Sequence, residues 1–133
     1  MSYQHNTQLL TTTTDPVELF WQQWVPDEAV DRVVVFQHGM GEHAGRYQHL
    51  LDAFANTGTA CYALDARGHG RSPGRRGYLT NFERFADDLG DLIRMTRSEN
   101  DGQPVFLLGH SLGGAIALDF ALRPGNQENL RGL

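Results

Sequence analysis

The stretch Val105-Phe106-Leu107-Leu108-Gly109-His110-Ser111-Leu112-Gly113-Gly114-Ala115 decides how the rest of the chain is read. Its first four residues are a short apolar run of the kind that forms a strand covered on both faces. Leu112 to Leu122 can then continue as a helix, stopped by Pro124-Gly125. Between the two lies Gly109-His110-Ser111-Leu112-Gly113, a G-x-S-x-G sequence. Five residues of this kind recur by chance, but a strand before and a helix after them make a nucleophile elbow. The reason is steric. A strand turning sharply into a helix forces Ser111 into a strained backbone conformation and brings neighbouring chain close, so positions 109 and 113 have no room for a side chain. Ser111 is therefore the candidate nucleophile; the plainer alternative is an ordinary helix N-cap serine.

A nucleophilic serine needs two donors for the oxyanion that develops on its substrate. The N–H of Leu112, at the start of the helix, is one. The other is expected from the loop after Val33-Val34-Val35-Phe36, a β-branched run that suits a second inner strand. In that loop, His38-Gly39-Met40-Gly41, the N–H of Met40 is the candidate. His38 is expected to hold the loop through its ring, and no acidic ligand pattern completes a metal site with it and His43. A helix is predicted from Tyr47 to Ala55 with Gly58 as its stop, then an inner strand over Thr59 to Leu64. The loop Asp65 to Tyr78 holds Asp65, Arg67 and Gly68, expected to brace the elbow. Its Arg67, Arg71, Arg75 and Arg76 read as a braced, solvated cluster in preference to an anion site. Thr80 and Glu83 have capping-box spacing, and Phe82 to Thr96 repeats at helical period, with Asp87, Asp88 and Asp91 placed largely on the wet side. Upstream, Val17 to Trp24 partly alternates as a half-exposed strand. Residues 1–16 form a polar, Thr-rich segment that either carries an edge strand near Leu9–Thr12 or frays, leaving 17–133 as the partial domain. Strands alternating with helices predict an α/β fold with a mostly parallel sheet and flanking helices.

Composition limits the function classes. The 133 residues carry a net charge of −5, with every basic residue an Arg, so no basic footprint for nucleic acid is present. The single Cys61 cannot form an internal disulfide and reads as a buried small hydrophobe. No secretory signal pattern and no run near the roughly 18 apolar residues of a membrane span is visible, so a cytoplasmic location is expected.

Assembled, these pieces resemble the α/β-hydrolase superfamily, and within it the monoacylglycerol lipase / lysophospholipase group of serine aminopeptidase S33-like hydrolases. The resemblance rests on His38-Gly39-Met40-Gly41-Glu42-His43, Gly45-Arg46-Tyr47, Asp65 through Ser72, Arg76-Gly77-Tyr78 and Val105 through Gly114, in order, from about Leu19 onward. It implies an eight-stranded, mostly parallel sheet, Ser111 as nucleophile, and Met40 and Leu112 as oxyanion-hole residues. It implies no cofactor, and as substrate a small lipid-like ester, met at a membrane surface through a cap inserted after the sixth strand. The family order is Ser, then Asp or Glu, then His. Only 22 residues follow Ser111; they contain no His, and their acids are Asp119 and Glu128. The chain is thus expected to be the N-terminal half of such a hydrolase, lacking the cap, the later strands and the triad's acid and base, and inactive alone. The last strand is expected to be an open apolar edge, prone to self-association. A non-catalytic protein binding a partner through that edge is the alternative reading.

Overall fold

The computed structural model describes residues 2–79 and 81–133. Five strands, β1 (Tyr3–Thr11), β2 (Glu18–Pro26), β3 (Arg32–Gln37), β4 (Thr59–Leu64) and β5 (Val105–Gly109), form one sheet in the order β1-β2-β4-β3-β5. Three helices accompany it: α1 (Gln48–Ala55), α2 (Glu83–Glu99) and α3 (Leu112–Leu122). β4, β3 and β5 pair in parallel, as their continuous apolar runs predict, and every residue of β4 is buried. β1 and β2 add an antiparallel hairpin at one side, so the sheet is mixed.

The helices divide the core into two layers. On one face α2 and α3 cover Leu19, Trp21, Val33, Val35, Tyr62 and Leu107, all buried. On the other, α1 covers Trp24, Val34, Phe36, Cys61 and Ala63. Burying each Leu, Val or Phe in such layers contributes about 1.5–3 kcal/mol. The alternation of Val33 and Val35 against Val34 and Phe36 shows why the run lacks a polar face: both sides of β3 are inside.

Three expectations are corrected and one is extended. Of the two alternatives for the N-terminal segment the edge strand holds, and it starts earlier, at Tyr3: β1 is nine residues long and paired along its whole length with β2. Its side chains are mostly exposed and polar, so the ladder of backbone hydrogen bonds, invisible to hydrophobic patterning, defines it. Asp88 and Asp91 are not on the wet side; they are 1% and 5% exposed. Each is buried with partners: Asp88 against Arg67, and Asp91 accepting from the Thr13 backbone N–H and hydroxyl and from Arg94. The Arg67–Arg76 group is not one solvated cluster. Arg67 is buried, Arg71 lies over Phe20, Arg75 lies over Tyr78, and Arg76 donates to backbone carbonyls of its own loop. Finally, the outer flank of β5 is not wholly open. Arg131 N–H donates to Val105 O at 2.7 Å and Leu107 N–H to Gly132 O at 3.0 Å, so the last residues run parallel beside it. The capping box at Thr80 lies outside the described residues; α2 begins at Glu83, whose N–H donates to Asn81 Oδ1 at 3.0 Å.

Candidate active site

The C-terminal ends of the parallel strands carry the candidate residues. β5 ends at Gly109, α3 begins at Leu112, and Ser111 sits between them, exposed, with φ 57° and ψ −123°. That is a left-handed φ on a non-glycine residue, shared among the described residues only with Asp15. Such a conformation costs about 1–3 kcal/mol and persists only when its surroundings fix it. Here they do. His110 N–H donates to Gln37 O, Gly113 N–H to His110 O at 2.9 Å, and Gly114 N–H to Ser111 O at 2.9 Å. A Cβ on Gly109 would overlap the Gly113 backbone, and one on Gly113 would overlap the carbonyls of Gln37 and His38. The two glycines let the elbow lie directly on the end of β3.

The loop after β3 lies against the elbow. A Cβ on Gly39 would stand 3.3 Å from Ser111 Cβ and 3.0 Å from His110 O. Met40 follows it, exposed at the rim, with Gly41 at φ 73°. Among the described residues no protein acceptor takes the N–H of Met40 or of Leu112. The geometry thus leaves two backbone donors unclaimed in the two segments that meet at Ser111, one of them at the positive end of the α3 dipole.

His38 is fully inside the loop. Its Nδ1–H donates to Gly39 O at 2.8 Å and its Nε2 accepts from Ala66 N–H at 2.9 Å. Both ring nitrogens are used, which fixes a neutral imidazole, and burial pushes its pKa down from the ordinary value. Asp65 is equally committed: its carboxylate accepts from Ala44 N–H at 2.9 Å and Arg71 N–H at 3.0 Å. It joins two loops to each other and does not reach the elbow. Arg67 spends its guanidinium on Asp88 through two bonds of 3.0 Å, and on Asp15 through two more. Gly68 turns the same loop at φ 79°.

Sequence reasoning overlooked one network. Glu42 Oε1 accepts from Gly39 N–H at 2.8 Å and from the Tyr47 hydroxyl at 2.6 Å, and that hydroxyl accepts in turn from His110 Nδ1 at 2.9 Å. Burial raises the Glu42 pKa, but the bonds from Tyr47, Gly39 and His110 outweigh it and hold the carboxyl below its usual range. Burial and the Glu42 carboxylate push the Tyr47 hydroxyl up to about 12, so it stays a donor. The network ties the Met40 loop to the elbow from the α1 side. A carboxylate placed three residues after a loop of free N–H groups was the available signal.

No side chain among the described residues hydrogen-bonds the Ser111 hydroxyl. His38 is locked, His69 is buried with Nδ1 on Arg67 O, and His110 turns to Tyr47. Asp119 pairs with Arg123 at 3.1 Å on α3 itself. Among the described residues no group of three His, Cys, Asp or Glu could hold a metal, and no helix is long and apolar enough to cross a membrane.

A mixed sheet whose parallel strands lead into a strand–Ser–helix elbow, with a Gly-rich loop from the adjacent strand against it, is the N-terminal part of an α/β-hydrolase fold. A soluble variant of monoglyceride lipase from Saccharomyces cerevisiae, solved with a substrate analog, superimposes with a TM-score of 0.82 at 28% identity, over 96% of this chain and 42% of that one. More narrowly, a family model described as serine aminopeptidase, S33, matches residues 28–133, and the chain belongs to that family. Within it, the monoacylglycerol lipase of Mycolicibacterium smegmatis is 41% identical over 110 residues, 82% of this chain and 39% of its own length. The monoglyceride lipase of Homo sapiens is 39% identical over 109 residues, 81% of this chain and 36% of its own. The chain spans well under half the length of these relatives.

Proposed function

We propose that residues 1–133 carry the nucleophile and oxyanion hole of a serine carboxylic-ester hydrolase acting on lipid-like esters, of the monoacylglycerol type. The observation that carries the reading is Ser111 at φ 57° in an elbow packed against the Gly39 loop, with the N–H groups of Met40 and Leu112 unclaimed. In this reading Ser111 Oγ attacks the acyl carbonyl, and the two N–H groups hold the oxyanion. The alcohol leaves, and water then releases the acid from the acyl-serine. The proton of Ser111 needs a His–carboxylate pair. No histidine described here hydrogen-bonds Ser111, so the reading assigns that pair, the cap and any contact with a membrane surface to polypeptide outside these residues. The names of the relatives, monoacylglycerol and monoglyceride lipase, support the substrate class.

The test has two parts. The 133-residue chain is assayed with a short-chain nitrophenyl ester and with a monoacylglycerol, beside its Ser111→Ala variant. Both proteins are expected at background rate. Substantial hydrolysis abolished by Ser111→Ala would show that the base lies within these residues. Reading the coding sequence past Leu133 is the second part: a continuing frame with later Asp- and His-bearing loops, expressed whole, is expected to hydrolyse the ester and to lose at least 10³-fold with Ser111→Ala. An active whole protein indifferent to Ser111→Ala overturns the reading.

A further inference from the structure

The α1 face of the sheet is only partly covered by α1. Beyond Trp24, β1 and β2 present polar side chains there, with Thr7 opposite Gln22 and His5 opposite Trp24 in the register. The loops carrying His43 and Arg71 wall the space above them into a pocket of about 370 Å³. It lies at the β2–β4 side of the sheet, two strands across from the elbow of β5.

The hydrogen bonds give this pocket a sign. Gln22 is 7% exposed, and its Oε1 accepts from His5 Nε2 at 2.9 Å, with the His5 ring stacked on Trp24 at 4.6 Å. The amide is thereby turned so that its NH2 faces Gly45 on the pocket wall, where a Cβ would stand 3.8 Å from Nε2. Among the described residues that NH2 has no acceptor. The Arg71 guanidinium lies 5.0 Å over the Phe20 ring and has neither an ion pair nor a hydrogen bond among the described residues, whereas the guanidinium of Arg67 is fully engaged. The pocket's one carboxylate, Asp65, has both oxygens occupied by backbone N–H groups. Asp65 is therefore already committed to the backbone, while the Arg71 guanidinium and the Gln22 amide remain as free donors on the pocket wall.

We propose that this pocket binds a phosphate monoester, with Arg71 and the Gln22 amide as its principal donors and His43 beside them. A phosphate offers three acceptor oxygens in different directions, which suits donors carried on a strand and two loops around one pocket, while a carboxylate offers two in one plane. The volume suits a small ligand and leaves room for a short organic group beyond the phosphate, against Thr7. The site is independent of Ser111 and of the ester-hydrolase reading.

Calorimetric titration of the chain with glycerol 3-phosphate, inorganic phosphate and glycerol, at fixed ionic strength, tests this. The phosphate ester is expected to bind saturably, inorganic phosphate more weakly, and glycerol not at all. Arg71→Gln is expected to weaken the ester at least tenfold. Arg75→Gln removes the same charge from the same loop, where Arg75 lies over Tyr78 outside the pocket, and is expected to change affinity less than twofold. Gln22→Leu is the second probe, with circular dichroism confirming that each variant is folded. Absence of saturable binding, equal weakening by both arginine variants, or glycerol binding as tightly as its phosphate overturns the proposal. Inorganic phosphate binding as tightly as the ester overturns the assignment of an ester.

Discussion

At the scale of single residues, the strain at Ser111 is held by neighbours that carry no side chain. Gly109 and Gly113 matter because backbone oxygens and nitrogens fill the places their Cβ atoms would take. His38 is the opposite case, a large polar ring buried in its loop with both nitrogens satisfied by backbone groups. Burial lowers its pKa in the folded state, so below the ordinary histidine value of about 6.5 the unfolded chain binds a proton that the folded one refuses. His38's contribution to stability is therefore complete above that value and is lost as pH falls from it toward the depressed folded pKa. Denaturant melts from pH 8 to pH 5 are expected to show this decline, with a slope from His38 of up to about 1.4 kcal/mol per pH unit. His38→Gln should flatten the limb; an unchanged slope in that variant would remove His38 as its cause. Ser111, Gly109 and Gly113 were legible in sequence because the motif is local. The Glu42–Tyr47–His110 chain was not, since it joins residues 63 positions apart.

At the scale of elements, α1, α3, β4 and β5 follow from patterning almost to the residue. Their apolar periods are set by burial on one or two faces. β1 and the buried side of α2 do not follow. β1 is fixed by backbone pairing, and Asp88 looks like a solvent-facing acid until Arg67 arrives from a loop 21 residues earlier. The Arg67–Asp88 pair, with Asp15 on the remaining donors, fastens the β4–α2 loop, the β1–β2 turn and α2 to one another. Its net value against an apolar core is small, but removing one partner strands a buried charge at a cost of about 3–5 kcal/mol. Asp88→Ala is expected to lower unfolding stability by about 3 kcal/mol or more in urea. The double variant Arg67→Met with Asp88→Leu should recover most of that loss. A single variant within about 1 kcal/mol of the parent would show that the pair is not the fastener.

At the scale of the whole molecule, the two sides of the sheet differ in kind. The β1 side is polar and finished. Around β5, Leu108, Leu118, Leu122 and Leu133 are exposed, and an apolar groove of about 890 Å³ runs between α1 and the last residues, lined by Val34, Phe54 and Phe106. Contiguous apolar surface of this kind drives association. Sedimentation at tens of micromolar is expected to give a mass above the 14.9 kDa monomer, and Leu122→Asp with Leu133→Asp should restore the monomer. A strictly monomeric parent chain would contradict this. The short parallel bridge of Gly132 to Phe106 has its own consequence for synthesis. A ribosome delivers the chain N-terminus first, so the flank of β5 that this bridge occupies is the last to be paired. β3, made before β4, has no partner in the sheet until β4 is set between it and β2. The order of translation and the order of assembly therefore coincide at that flank and differ at the centre of the sheet.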